Sequence, residues 1–254
     1  MTSGMEGEEL ARELGTLTDE SRPELGRNLT YGLLDSLGRA IVTGRFEHEH
    51  FPTEAELAKQ NGVSRSVTRE AVKMLTAKGL LSARPRQGTA VQPISSWNLF
   101  DTDVLRWLLE RKFTVELLEQ FNQLRVAIEP EAAALAARFA SEDDLQRINQ
   151  GLERMEAADR GLDDPLAADI AFHVAILRAS GNPFYVQFRD VVGTALRTSI
   201  RFTNRIKGRT ANVADHAAVR DAIVARDIDG ARTAMRSIIG DVLALIEEKG
   251  DAAV

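Results

Sequence analysis

Cysteine is absent from the 254 residues. That excludes disulfides, thiolate nucleophiles, Cys-ligated zinc and iron–sulfur clusters, and it suits a reducing cytoplasm. No apolar run approaches the roughly 18 residues of a membrane span, so no membrane partner is expected. The first residues carry Glu6, Glu8, Glu9 and Glu13, which is wrong for a secretory signal peptide. Internal repeats, low-complexity tracts, Gly-rich phosphate loops, nucleophile motifs and carboxylate pairs at a catalytic spacing are all missing. Histidine is scarce, with 4 in the chain. Two of them, His48 and His50, alternate with Glu47 and Glu49 in a loop and read as solvent-exposed. Hydrophobic residues make up 44%, enough for a packed core in one large or two smaller domains.

The net charge of -6 argues against nucleic acid only when taken as a whole. Residues 1–26 hold 2 basic and 7 acidic side chains, residues 27–92 hold 10 and 6, and residues 93–254 hold 20 and 25. A basic segment inside an acidic chain supplies the local positive potential that a DNA-binding face needs.

The acidic residues 1–26 lack a sustained period and read as a flexible tail. A helix follows from Asn28 to Thr43, with Leu34, Leu37 and Ile41 on one face and Gly44 as its stop. Thr53-Glu54-Ala55-Glu56 is a capping box opening a short helix that Asn61-Gly62 closes. Ser64 caps the next helix, whose buried face is Val67, Ala71, Met74 and Leu75, and Gly79 ends it. Two short helices joined by a Gly-containing turn form a helix-turn-helix. Leu80 to Arg84 and Thr89 to Gln92, joined through Pro85-Arg86-Gln87-Gly88, form a small hairpin, or wing. Residues 93–102 read as a linker, and residues 103–250 as an all-α bundle of about six or seven helices. Within it Asp103 to Lys112 is one helix and Thr114 to Ala140 a longer one bent at Pro130. Ser141 and Asp164-Pro165 open two more, and Asn182-Pro183 repeats the start signal.

Ser64, Arg65, Ser66, Thr68, Arg69 and Lys73 stand on or beside the outer face of the second short helix. Arg65, Arg69 and Lys73 recur every four residues and form one stripe. Arginine pairs with guanine O6 and N7, and hydroxyls reach phosphates or base edges. A solvated charged helix face has the same pattern, so the stripe alone leaves both readings open.

The order and spacing of Pro52, Glu56-Leu57-Ala58, Val63-Ser64-Arg65, Arg69-Glu70-Ala71, Gly79-Leu80 and Gly88 closely resemble the winged helix-turn-helix of the GntR family of bacterial transcription regulators. The resemblance implies that Arg65 and Arg69 read the major groove and that Gln87-Gly88 at the wing tip touches the minor groove. Ala55 stands where the family usually has an arginine, so one customary DNA contact is missing. Downstream, Leu124-Arg125 with Glu129-Pro130, Asp169-x-x-Phe172-His173, Ser180-Gly181-Asn182-Pro183 and Asp215-His216 resemble the FCD ligand-binding domain of the FadR subfamily. The segment WNLFDTDVLRWLLE is similar to the one in galactonate-operon repressors of that subfamily.

Asp169 and His173 are i and i+4 on one helix, a workable pair of metal ligands that equally describes a simple helix surface pair. The resemblance adds His216 as a third ligand to a divalent cation, zinc first among the candidates. It also implies a fourth histidine at a position where this chain has Ile238. Arg125 lies in an apolar stretch and needs an anionic partner, either an effector carboxylate or Glu129 four residues on. The resemblance favours the carboxylate. Asn212, four residues before His216, either lines the same pocket or caps its helix.

Together these readings describe a mainly α protein with an N-terminal winged helix-turn-helix and a C-terminal all-α FCD-type bundle. It would be a cytoplasmic, homodimeric repressor on double-stranded operator DNA, released by a small organic acid such as a sugar acid or hydroxy acid. A metal-dependent hydrolase of a small carboxylate and a dimerisation scaffold without effector are the rival classes.

Overall fold

The computed structural model describes residues 21–47, 49–84, 88–111, 115–206 and 212–250. The chain divides into two compact units, Met1–Arg111 and Lys112–Val254. Residues 1–20 of the expected tail lie outside the described residues.

The first unit begins with α1 (Ser21–Val42), which starts earlier than Asn28. Pro23 is compatible with that start, because the N–H groups of a first turn have no acceptor within the helix. Helices α2 (Glu54–Asn61) and α3 (Arg65–Ala77) follow. The Thr53–Glu56 capping box forms, with Glu56 Oε2 accepting from the Thr53 amide at 2.8 Å. Gly62 ends α2 at a φ of 63°, in the left-handed region that favours glycine. Strands β1 (Leu81–Arg84) and β2 (Gly88–Val91) pair antiparallel in register Leu81 with Val91, making the wing. Leu34, Leu37 and Ile41 of α1, Leu57 of α2, and Ala71 and Leu75 of α3 close one core with Leu80 and Leu81.

The span after the wing departs from the sequence reading. A 3-10 turn at Ile94–Ser96 leads to α4 (Thr102–Leu108), which belongs to this unit and not to the bundle. The Gln92 and Asn98 amides donate to the carbonyls of Leu80 and Lys78. Lys78 bridges Asp101 at 2.7 Å and Asp103 at 2.9 Å. Trp107 of α4 is fully buried against α1 at Gly38, where a Cβ would come within 2.2 Å of the indole ring. Its Nε1 donates to Asp35 at 2.8 Å, and Arg106 pairs with the same oxygen at 2.6 Å. The apolar pattern of Val104, Leu105, Trp107 and Leu108 dictates that one face is covered, but not by which unit.

The second unit is all helix among the described residues. It comprises α5 (Val115–Phe139), α6 (Glu142–Asp159), α7 (Pro165–Ala179), α8 (Pro183–Val186), α9 (Arg189–Ile206), α10 (Val213–Val224) and α11 (Ile228–Gly250). α5 runs unbroken through Pro130. Ser141 and Asp144 form the capping box of α6, and Asp164 caps α7 with Pro165 at its first position. The helix signalled by Asn182-Pro183 is only four residues long, and α9 starts separately at Arg189. α11 lies along α5, α6 along α7, and α10 against α11. The α6–α7 crossing is close, since a Cβ at Gly151 would meet Phe172 Cα at 2.8 Å. Phe172, Ile148, Leu152, Val219 and Ile239 fill the core. No helix among the described residues is long and apolar enough to cross a membrane.

Candidate functional site

The first unit offers α3 as a recognition helix. Ser64 is its N-cap, with its hydroxyl accepting from the Val67 amide at 3.3 Å. Arg65, Ser66, Arg69 and Lys73 are exposed. Arg69 Nε lies 3.3 Å from Glu54 of α2, and Lys73 lies 3.7 Å from Glu70, so both cations are loosely tethered at the surface. Thr68 is a correction. It is fully buried, with its hydroxyl on the Ser64 carbonyl at 3.2 Å. It lies three, four and seven residues before Ala71, Val72 and Leu75, on the helix face that packs into the core. Gly88 is exposed at the base of β2 with a φ of 83°. Gln87 and His48 lie outside the described residues, and His50 is exposed.

The second unit holds a buried polar cluster built from α5, α7, α9 and α10. The i and i+4 spacing of Asp169 and His173 on α7 brings both onto its inward face. His216, in the first turn of α10, meets them there. Ligand atoms of the three residues lie within 4.8 Å of one another. Asp169 Oδ1 is 3.1 Å from His216 Nε2 and 3.5 Å from His173 Nε2. Phe172 packs edge-on against both imidazoles, at centroid distances of 5.9 and 5.2 Å.

The far side of each ring decides what the near side presents. His173 Nδ1 is in close contact with Glu129 Oε2, and His216 Nδ1 is 2.7 Å from the Asn212 carbonyl. Both partners only accept, so both Nδ1 atoms carry hydrogen. A neutral ring then offers a lone pair at Nε2. Two lone pairs and a carboxylate oxygen therefore face one another. Neither Nε2 nor Asp169 Oδ1 has a hydrogen-bond partner in acceptable geometry. A cation relieves this arrangement, and the donor set of two imidazoles and one carboxylate, each imidazole braced by an acceptor on its other nitrogen, fits a divalent metal ion. Without one, protons must serve. Burial works against the His173 imidazolium, but Glu129 and Asp169 beside it raise its pKa to about 9. Burial likewise opposes ionisation of Asp169, yet His173 and His216 hold its carboxyl well below the usual range.

Arg125 is buried, and it has the partner that sequence reading left as the alternative. Its Nε donates to Glu129 Oε1 at 2.6 Å. The guanidinium is not used up. Nη1 has only a long contact to Asn122 Oδ1 at 3.4 Å, and Nη2 has no partner. Asn122 in turn donates to Ser199 of α9 at 3.2 Å. Burial raises the Glu129 pKa, but Arg125 and His173 prevail and hold it at about 2. Asn212 caps α10, its exposed side chain accepting from the Ala214 amide at 3.1 Å, and what it contributes to the cluster is its carbonyl. Ile238 is half-buried against the core and offers no donor atom. Glu129, Asn122 and Ser199 were not picked out as site residues from sequence. The signal for Glu129 was its spacing from Arg125, which also describes a plain helix ion pair.

A wing and recognition helix in one unit, with a buried polar cluster in an all-α second unit, define a ligand-responsive DNA-binding regulator. The models of the gntR family of bacterial regulatory proteins and of the FCD domain match residues 31–91 and 120–241. The HTH-type transcriptional regulator YieP of Escherichia coli (strain K12) is 33% identical over 216 residues, covering 84% of this chain and 93% of YieP. The galactonate operon transcriptional repressor of the same organism is 32% identical over 226 residues, covering 87% of this chain and 98% of the repressor. The chain belongs to the GntR family and carries an FCD domain; it is a transcription regulator and not an enzyme. A solved structure of Lar, which controls the expression of the Listeria monocytogenes agr system, shares the fold at a TM-score of 0.61 and 20% identity, covering 86% of this chain and 96% of Lar.

Proposed function

We propose that the protein is a repressor that leaves its operator when a small hydroxy acid or sugar acid binds in the helical unit together with a divalent metal ion. One observation carries this reading. The four buried side-chain atoms without partners among the described residues are Arg125 Nη2, Asp169 Oδ1, His173 Nε2 and His216 Nε2, and all four belong to a single network. The oxygen and the two ring nitrogens call for a cation. The arginine nitrogen calls for an anion. A metal-chelating carboxylate supplies both demands, and the guanidinium is the side chain suited to a planar carboxylate.

Asp169, His173 and His216 would hold the ion, zinc being the best match to two imidazoles and one carboxylate. A bound ion would supply positive charge and open coordination positions for ligand oxygens. Ile238 contributes nothing to the shell, so three protein ligands bind the metal exchangeably. Arg125 then fixes the carboxylate. The repressor of the galactonate operon is a relative of this chain, which places sugar acids first among the effectors to test.

On DNA, Arg65 and Arg69 would read bases, Ser64, Ser66 and Lys73 would hold phosphates, and Gln87 with Gly88 would meet the minor groove. A cytoplasmic homodimer places two such units on an inverted repeat, and the effector alters their relative position so that the half-site spacing no longer fits. The test is a thermal-shift screen of sugar acids and hydroxy acids, with and without EDTA, followed by release of a selected duplex. Stabilisation by at least one acid that EDTA abolishes supports the reading. An acid that binds equally well in EDTA removes the metal from it.

A further inference from the structure

We infer that Glu129 is a positioning residue that sets the direction of both the metal-facing nitrogen of His173 and the ligand-facing edge of Arg125, so that one carboxylate ties the cation half of the site to its anion half. The inference rests on the metal–carboxylate reading above. Glu129 is fully buried on α5, four residues after Arg125, and it reaches across to His173 on α7. Its two oxygens are divided. Oε1 accepts from Arg125 Nε, and Oε2 accepts from His173 Nδ1.

Each bond has a directional consequence. Holding the hydrogen on Nδ1 leaves the Nε2 lone pair for the space shared with Asp169 and His216. Holding Nε fixes the plane of the guanidinium and with it the positions of its two terminal nitrogens, one of them without a partner. A salt bridge needed only for charge balance could keep both oxygens for the one guanidinium. Here both are used, on partners from different helices.

Glutamine shows why the carboxylate is needed. Its side chain has one acceptor and one donor end. If its oxygen serves Arg125, its NH2 faces His173 Nδ1, which must then become the acceptor. The imidazole proton moves to Nε2 and points at the metal position. If its oxygen serves His173 instead, two donors collide at Arg125. Either arrangement spoils one half of the site.

The experiment uses the full chain. Zinc is titrated against a chromophoric chelator for wild type and for Glu129→Gln, and the histidine tautomers are read by 15N–1H correlation spectra of the metal-free and zinc-loaded proteins. Zinc affinity should fall ten- to a hundredfold in Glu129→Gln, the range for losing an outer partner of a metal-bound histidine. Read above the His173 pKa of about 9, where the metal-free ring is neutral, the hydrogen should sit on Nδ1 in wild type and on Nε2 in Glu129→Gln, a change that a merely structural role would not produce. Should Glu129→Gln fail to fold, the double variant Arg125→Met/Glu129→Leu keeps the charge balance, removes every acceptor for Nδ1, and should show the same loss. Wild-type zinc binding with a variant within threefold of it, or an unchanged tautomer, overturns the role of Glu129 and leaves the metal reading standing. No zinc binding by wild type overturns both.

Discussion

Gly38→Ala sets two effects of known size against each other. Alanine in the interior of a helix is favoured over glycine by about 1 kcal/mol, so on propensity alone the change stabilises α1. The structure reverses the sign. A Cβ at residue 38 would lie 2.2, 2.4 and 2.5 Å from three ring carbons of Trp107. Trp107 is fully buried, and its Nε1 is anchored on Asp35 at 2.8 Å, so the ring cannot step aside without giving up that bond. Overpacking costs about 1–3 kcal/mol where neighbours can yield, and an anchored indole places this site at the upper end. The net expectation is destabilisation of about 1–2 kcal/mol. With a urea slope of about 2 kcal/mol/M, the midpoint falls by about 0.5–1 M. The chain has 2 tryptophans, Trp97 and Trp107, and both lie in the first unit, so tryptophan emission reports that unit alone. A midpoint at or above wild type would refute the packing of α4 on α1.

Gly32 lies in the same helix with nothing within 4 Å of its Cβ position, so Gly32→Ala should stabilise by about 0.5–1 kcal/mol and raise the midpoint by about 0.25–0.5 M in the same assay. Arg65→Ala and Arg69→Ala should each cost about 1–3 kcal/mol in binding a selected duplex, whereas Lys73→Ala should lower the salt slope of binding by about 1 in mobility-shift titrations. Arg125→Ala leaves the buried Glu129 carboxylate facing His173 alone and should destabilise the second unit by about 3–5 kcal/mol, read by circular dichroism during urea unfolding. Arg125→Met/Glu129→Leu should recover most of that loss.

Local signals carried much of the fold. Thr53-x-x-Glu56, Ser64, Ser141-x-x-Asp144 and Asp164-Pro165 act within one turn of chain, and each starts a helix where it should. What failed to show depended on distant partners. The apolar face of α4 looks the same whether α1 or the bundle covers it. Only the missing side chain at Gly38, 69 residues before Trp107 in the chain, shows the match. Thr68 reads as a surface hydroxyl beside two arginines until the core side of α3 is known. In the site, the spacing of Asp169 and His173 was legible because it lies within one helix. The role of Glu129 was not, since an acid four residues after an arginine describes many exposed pairs, and its second partner is 44 residues away. For Asn212 the sequence left open lining the pocket or capping the helix; its side chain caps α10, and its carbonyl meets His216.

The central claim is that metal and organic acid meet at Asp169, His173, His216 and Arg125 to control DNA binding. Fluorescence anisotropy on a duplex selected by the protein from a random library tests it most directly, with sugar acids and hydroxy acids titrated against wild type and Asp169→Asn, each with zinc and with EDTA. The account predicts that at least one acid releases the zinc-loaded wild type, that EDTA raises the required concentration at least tenfold, and that Asp169→Asn binds the duplex normally but does not respond. Release at the same concentration in EDTA and in Asp169→Asn would contradict it.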